Sequence, residues 1–188
     1  LGERENVEAV IAIATSELQP LVIRREAIAA LSVWQGSTTR DRVTGLWQPI
    51  EARDGTVVRD AVQQAAAGLL ATAPEALLAD VTGLLVTLKV ETDDRVFASW
   101  VVDAKRSPEV RVAALRLLNS RQFGGLPEII DALLTSNNAN LRSEARDLLA
   151  DKDADRATSL ISQLLDDQQA ETSEKQRAFA TLARMKSS

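Results

Sequence analysis

The 188-residue chain contains no cysteine and no histidine. Without cysteine there are no disulfides, no thiolate nucleophile and no Cys-ligated zinc. Without histidine the commonest general base, metal ligand and pH switch near neutrality is gone. Tyrosine is absent as well, and aromatic residues make up only 3% of the chain. Glycine (8) and proline (5) are sparse, so long regular elements are interrupted at few points. There is no excess of positive charge. The net charge is −5 and the pI about 4.9, whereas a duplex-binding module is normally basic. No uninterrupted apolar run approaches the roughly 18 residues of a membrane span; the most apolar stretch, 69–90, is broken by Pro74, Glu75 and Asp80. The chain opens on Leu1 without the pattern of a secretory signal, which leads us to expect a segment of a longer protein.

What is present is 45% hydrophobic residues, dominated by alanine and leucine. That mixture favours closely packed helices over sheets, which draw on β-branched and aromatic side chains. Apolar periodicity and helix punctuation predict ten helices, over about 3–17, 21–34, 56–72, 74–88, 92–104, 108–120, 126–135, 140–150, 154–166 and 172–185. The clearest start is Ser107-Pro108-Glu109, a capping serine, a proline in the first turn and an acid facing the positive helix end.

The chain also repeats itself. Val110-Arg111 is followed by Ala114, Leu115 and Leu118. Ile23-Arg24 is followed by Ala27, Ile28 and Leu31, Leu141-Arg142 by Ala145 and Leu149, and Glu174-Lys175 by Ala178, Phe179 and Leu182. The last three cations are 31 and 33 residues apart, a period that belongs to stacked helical hairpins. Each cation falls near the start of the second helix of a pair. Aligning Pro74-Glu75 with Pro108-Glu109 places Leu77 at the cation position of the second pair. Between Arg24 and Leu77 there are about 20 residues more than one repeat, and we assign the excess to an insertion over 35–55.

These motifs resemble the HEAT family across nearly the whole chain outside the insertion. The resemblance implies an all-α, right-handed superhelix of about five antiparallel helix pairs over 1–188, with one long inserted loop. It also implies a binding or scaffolding surface lined by the second helices. Within the insertion, Asp41-Arg42-Val43-Thr44-Gly45-Leu46-Trp47-Gln48-Pro49-Ile50 is similar to a segment in the HEAT regions of large planctomycete-type proteins. Those combine a sugar-dehydrogenase-like propeller, a HEAT segment and a c-type cytochrome domain. That resemblance implies a bacterial, membrane-bound dehydrogenase as parent, and a periplasmic or secreted location. The compartment itself is not encoded in these residues. No Cys-x-x-Cys-His haem motif is present, so no cofactor is expected in the chain and none of the redox chemistry.

Two groups of residues stand out. Arg24, Arg111, Arg142 and Lys175 recur at one repeat position. A repeat-periodic residue is most simply given a repeat-periodic role, here bonding helix-end carbonyls or a neighbouring carboxylate. The competing reading is an anion-binding strip. The insertion carries Arg40, Asp41, Arg42 and Arg53 and is bracketed by Trp34 and Trp47, and Trp and Arg are enriched where proteins meet. Its alternative is structural, with Trp47 and Ile50 folded back to cover apolar surface. Asp151, Asp153 and Asp155 match the first three positions of a calcium loop, but Arg156 stands where glycine is needed and Ser162 where glutamate is needed. The pairs Asp93-Asp94 and Asp166-Asp167 lie at predicted helix ends with no nucleophile or base nearby. Gly124-Gly125 lacks the remainder of a dinucleotide-binding loop.

The expected function is therefore non-catalytic: a scaffold or protein-interaction segment, its partners other proteins or neighbouring domains of the same chain, with no membrane insertion. An accessory role, completing the active site of a neighbouring sugar-dehydrogenase-like domain through the insertion, is the alternative. A nucleic-acid-binding HEAT-like role ranks behind both because the chain is acidic.

Overall fold

A computed structural model describes residues 4–36, 44–47 and 54–187. Among these the chain is all-α: ten helices, packed in sequential pairs, and no strand. They are α1 (Arg4–Thr15), α2 (Leu21–Ser32), α3 (Gly55–Thr72), α4 (Glu75–Thr87), α5 (Asp94–Val102), α6 (Pro108–Ser120), α7 (Leu126–Leu134), α8 (Ala139–Ala150), α9 (Ala154–Asp166) and α10 (Thr172–Ser187). All ten expected helices are present. Several end earlier than the apolar pattern suggests, where side chains divert the backbone. Ser32 and Thr15 bond back to the carbonyls of Ile28 and Ile11 in the last turns of α2 and α1. Asp103 accepts the Lys105 N–H and turns the chain just after α5.

The starts follow from capping chemistry. Asp54, Ser107, Asn138 and Asp153 each accept a backbone N–H from the first turn of the helix that follows. Two ends are unusual. Lys89 and Gln122 both have φ of 54°, left-handed backbone normally left to glycine. After each, an N–H reaches five residues back, Val90 to Leu85 at 2.9 Å and Phe123 to Leu118 at 3.0 Å. These bonds close the carbonyl ends of α4 and α6.

The chain forms two compact units, 1–93 and 94–188. In the first, α1 packs on α2 and α3 on α4, while α1 also packs on α3 and α2 on α4. In the second, the pairs α5–α6, α7–α8 and α9–α10 are joined through α5 on α7, α6 on α8, and α8 on both α9 and α10. Within each unit, neighbouring pairs thus meet second helix to second helix. The core consists of the periodic positions: Val7, Ile11 and Ala14 on α1; Ala27, Ile28 and Leu31 on α2; Ala114, Leu115 and Leu118 on α6; Ala145 and Leu149 on α8. Each sits on one stripe of its helix, and burial of such stripes is the main favourable term in folding.

Candidate functional site

The four repeat cations all do the same thing. Arg24 Nε donates to the Ala14 carbonyl at 2.9 Å, Arg111 Nε to Val101 at 2.8 Å, and Lys175 Nζ to Leu165 at 3.1 Å. Arg142 Nη1 donates to Ser136 at 2.7 Å, just past the end of α7. For Arg24, Arg111 and Lys175 the acceptor lies in the last turn of the first helix in the same pair; for Arg142 it lies in the turn that follows that helix. Carbonyls there have no intrahelical donor and carry the negative end of the helix dipole, so a cation satisfies both requirements. Leu77, in the second pair, cannot. The equivalent carbonyl group is served from the preceding pair: Arg24 Nη2 donates to Thr72 at 2.9 Å, at the end of α3. Arg24 is buried while holding both helix ends.

A second charge system links α6, α8 and α10, and of its members only Arg142, expected to bond a helix-end carbonyl or a neighbouring carboxylate, stands out in the sequence pattern. Glu144 is buried on α8 and accepts a bidentate pair from Arg116 of α6, at 2.7 and 2.8 Å, and another bond from Arg177 of α10. Arg177 also pairs with Asp147 at 2.6 Å, and Asp147 accepts from Thr181. Glu174 is buried on α10 between Arg142 and Arg146, both of α8. Burial alone would raise the pKa of both glutamates. The hydrogen bonds from two guanidiniums each, with their charge, outweigh it and hold Glu144 and Glu174 below the ordinary carboxylate value. The corresponding guanidiniums Arg116, Arg142 and Arg177 are shifted upward. Periodicity does not reveal most of this system because the residue type at each of its repeat positions changes from pair to pair. Only the spacing does, since the partners lie 28–33 residues apart, close to one repeat.

Within the insertion, Arg40, Asp41, Arg42, Arg53 and Ile50 lie outside the described residues. Trp47 is described, and its side chain is exposed (67%), beside an equally exposed Leu46. It does not cover apolar core, so the folded-back reading fails for this ring. Trp34, the other bracketing tryptophan, is buried. The insertion closes at its base. A Cβ on Gly55 would lie 1.9 Å from Gln35 Nε2, so Gln35 rests directly on the backbone at the start of α3.

The other candidates have local structural roles. Asp153 caps α9, accepting from the Arg156 N–H at 3.0 Å, and Asp151 pairs with Arg184. Asp94 opens α5 and pairs with Arg121. The Asp167 carboxylate accepts the Gln169 N–H at 2.8 Å and so turns the chain after α9. Gly125 precedes α7 in a turn. No cluster of metal-ligating side chains occurs among the described residues, and no described helix is long and apolar enough to cross a membrane. An open groove of about 380 Å³ runs between α2 and α4, lined by Ala29, Ala79 and Gly83 and crossed by the Arg25–Asp80 pair at 2.9 Å. Comparison with protein-family models, with curated proteins and with solved structures gives no match for this chain.

Proposed function

We propose that the chain is a HEAT-like α-solenoid segment that serves a larger protein as a non-catalytic scaffold and protein-interaction surface. The observation that carries this reading is the shared role of Arg24, Arg111, Arg142 and Lys175. Each holds a backbone carbonyl at, or in the turn just after, the end of the first helix of its own pair. The most conspicuous charged residues of the chain are thereby accounted for by architecture rather than chemistry. The second-helix charges of α6, α8 and α10 are likewise satisfied by each other, which favours protein contacts over an anionic polymer. The chain offers neither histidine nor cysteine for redox or hydrolytic work.

Small-angle scattering on the purified chain tests the architecture. A five-pair superhelix gives an elongated particle, and a spherical one would reject it. Cross-linking within the full-length parent tests the role: contacts from the second helices to a neighbouring domain or protein are expected, and their absence counts against the scaffold.

The exposed Trp47 side chain favours one further reading. An aromatic ring in solvent, in an insertion containing Arg40 and Arg42, suits a loop that reaches into a neighbouring domain and completes its site. Loss of parent activity in Trp47→Ala, with the isolated chain still fully folded, would support it; unchanged activity would remove it.

A further inference from the structure

The side of α10 that faces α8 is a polar stripe. Glu174, Arg177, Thr181 and Arg184 recur at spacings of three and four, which puts them on one face of the helix. Each of them bonds α8 or the residue that follows it. Glu174 pairs with Arg142 and Arg146, Arg177 with Glu144 and Asp147, Thr181 with Asp147, and Arg184 with Asp151. Arg184 also donates to the Asp147 carbonyl at 3.1 Å. Ala178 is the only buried apolar residue among those described in α10. Because these contacts define the stripe, it stays polar whatever packs on the other faces of the helix.

The other second-helix junctions are built differently. Between α2 and α4 the pair Arg25–Asp80 is 52% and 40% exposed, and such a pair contributes little. Those two helices bury Ile28, Leu31, Leu77 and Val81. α6, which packs on α8, buries Val110, Ala114, Leu115, Leu117 and Leu118. Only at the α8–α10 seam does charge take the place of hydrocarbon.

The centre of that seam is Glu174, 2% exposed. The charges acting on it are the guanidiniums of Arg142 and Arg146 on α8. Arg142 also feels Glu171, in the turn before α10, and donates to the Ser136 carbonyl; Arg146 reaches Ser143 Oγ at 3.3 Å. Beside them Glu144 faces Arg116 from α6 and Arg177 from α10. Towards α9, Lys175 is committed to the Leu165 carbonyl, and Arg156 of α9 pairs with Asp131 of α7. A neutral Glu174 would leave two guanidiniums, one buried and one partly so, with no carboxylate between them. Removing one partner of a buried charge pair is strongly destabilising.

We propose that the α8–α10 seam is an acid-operated latch: at low pH α10 parts from α8 and uncovers its charged face, while α5 to α8 stay packed. The two guanidiniums keep Glu174 ionised below the ordinary value of 4.5, so the latch is shut near neutrality and opens as pH falls past that value. Local opening of this kind precedes global unfolding where few apolar contacts hold an element.

The chain has no cysteine, so spin labels attach only at introduced ones. Pulsed EPR on Asn140→Cys with Ala180→Cys, both exposed, measures α8 to α10; Lys105→Cys with Asn140→Cys, also exposed, measures a distance within the part that should stay packed. Between pH 7 and pH 3 the first distance should lengthen and spread, while the second holds. Glu174→Gln, permanently neutral, should open the seam at pH 7. Arg146→Met combined with Glu174→Leu places apolar side chains there and should keep it shut to a lower pH than in the wild type. If Glu174→Gln loses its helical circular dichroism, this double variant decides. A first distance unchanged at pH 3 overturns the proposal, as does loss of both distances together. So does a folded Glu174→Gln with the wild-type profile, or a double variant that opens at the wild-type pH.

Discussion

Arg24 and Thr72 are 48 residues apart, and the guanidinium of one donates to the carbonyl of the other at 2.9 Å. The same side chain holds Ala14. One buried arginine thus closes α1 and α3 together, and the leucine at the cation position of the second pair is tolerated because its role is already filled from outside. Hydrogen bonds to a charged group contribute about 1.5–3 kcal/mol each, and stranding buried carbonyls costs more than losing the bond. Arg24→Ala should therefore destabilise by about 3–5 kcal/mol, clearly more than Arg111→Ala, whose arginine holds Val101. Lysine at position 24 should recover only part of the loss, because an ammonium lacks the planar fork. Urea unfolding of the three variants gives the comparison; equal losses for Arg24→Ala and Arg111→Ala would contradict it.

The glutamates of the α6–α8–α10 network give stability a definite pH dependence. Their folded-state pKa values lie below the ordinary 4.5. The unfolded state therefore takes up protons first as pH falls, so the stabilisation is complete above about 4.5 and is lost as pH drops through the folded values. Thermal unfolding between pH 7 and pH 3 should show a midpoint that is flat near neutrality and falls steeply below about 4.5. Glu174→Gln should blunt that fall. Glu174→Ala should cost about 3 kcal/mol at pH 7, since it leaves Arg142 and Arg146 facing each other without their carboxylate.

Gln122 closes α6 in left-handed backbone. A side chain there costs about 1–2 kcal/mol that glycine avoids, partly offset by glycine's greater freedom when unfolded. Gln122→Gly should raise stability by about 0.5–1 kcal/mol, measured as a higher denaturation midpoint with an unchanged slope. Gln122→Val should lower it.

Leu118 is fully buried on α6, and Trp47 is exposed. Leu118→Ala should cost about 2–5 kcal/mol, the range for emptying a leucine site in a core. Trp47→Ala should change stability by less than about 0.5 kcal/mol, as surface substitutions do. A large loss at Trp47 would mean that the ring holds the insertion in place.

All ten helices are legible in the sequence because their signals are local. Apolar stripes recur at helical spacing, and Asp54, Ser107, Asn138 and Asp153 stand where caps are needed. The cation ladder is legible for a different reason: like residues at one repeat position imply one shared role. The Glu144 and Glu174 network is hidden because its members change identity from pair to pair. Arginine stands on α6 where aspartate stands on α8, and their partners are glutamate and arginine in turn. Only the fold brings those positions together. Arg40, Asp41, Arg42 and Arg53 give a compositional signal alone, and they lie outside the described residues.

The alternation of charge along α6, α8 and α10 makes the order of the pairs non-interchangeable. Excising the pair α7–α8 would leave α6 to stack on α10. Arg116 would then meet Arg177 where it had met Glu144. That contact would become repulsive. A shortened copy, arising by recombination between similar repeats, would thus be rejected by its own side chains. The mismatched charges serve as a serial number for each pair, and the length of the second unit is written in them.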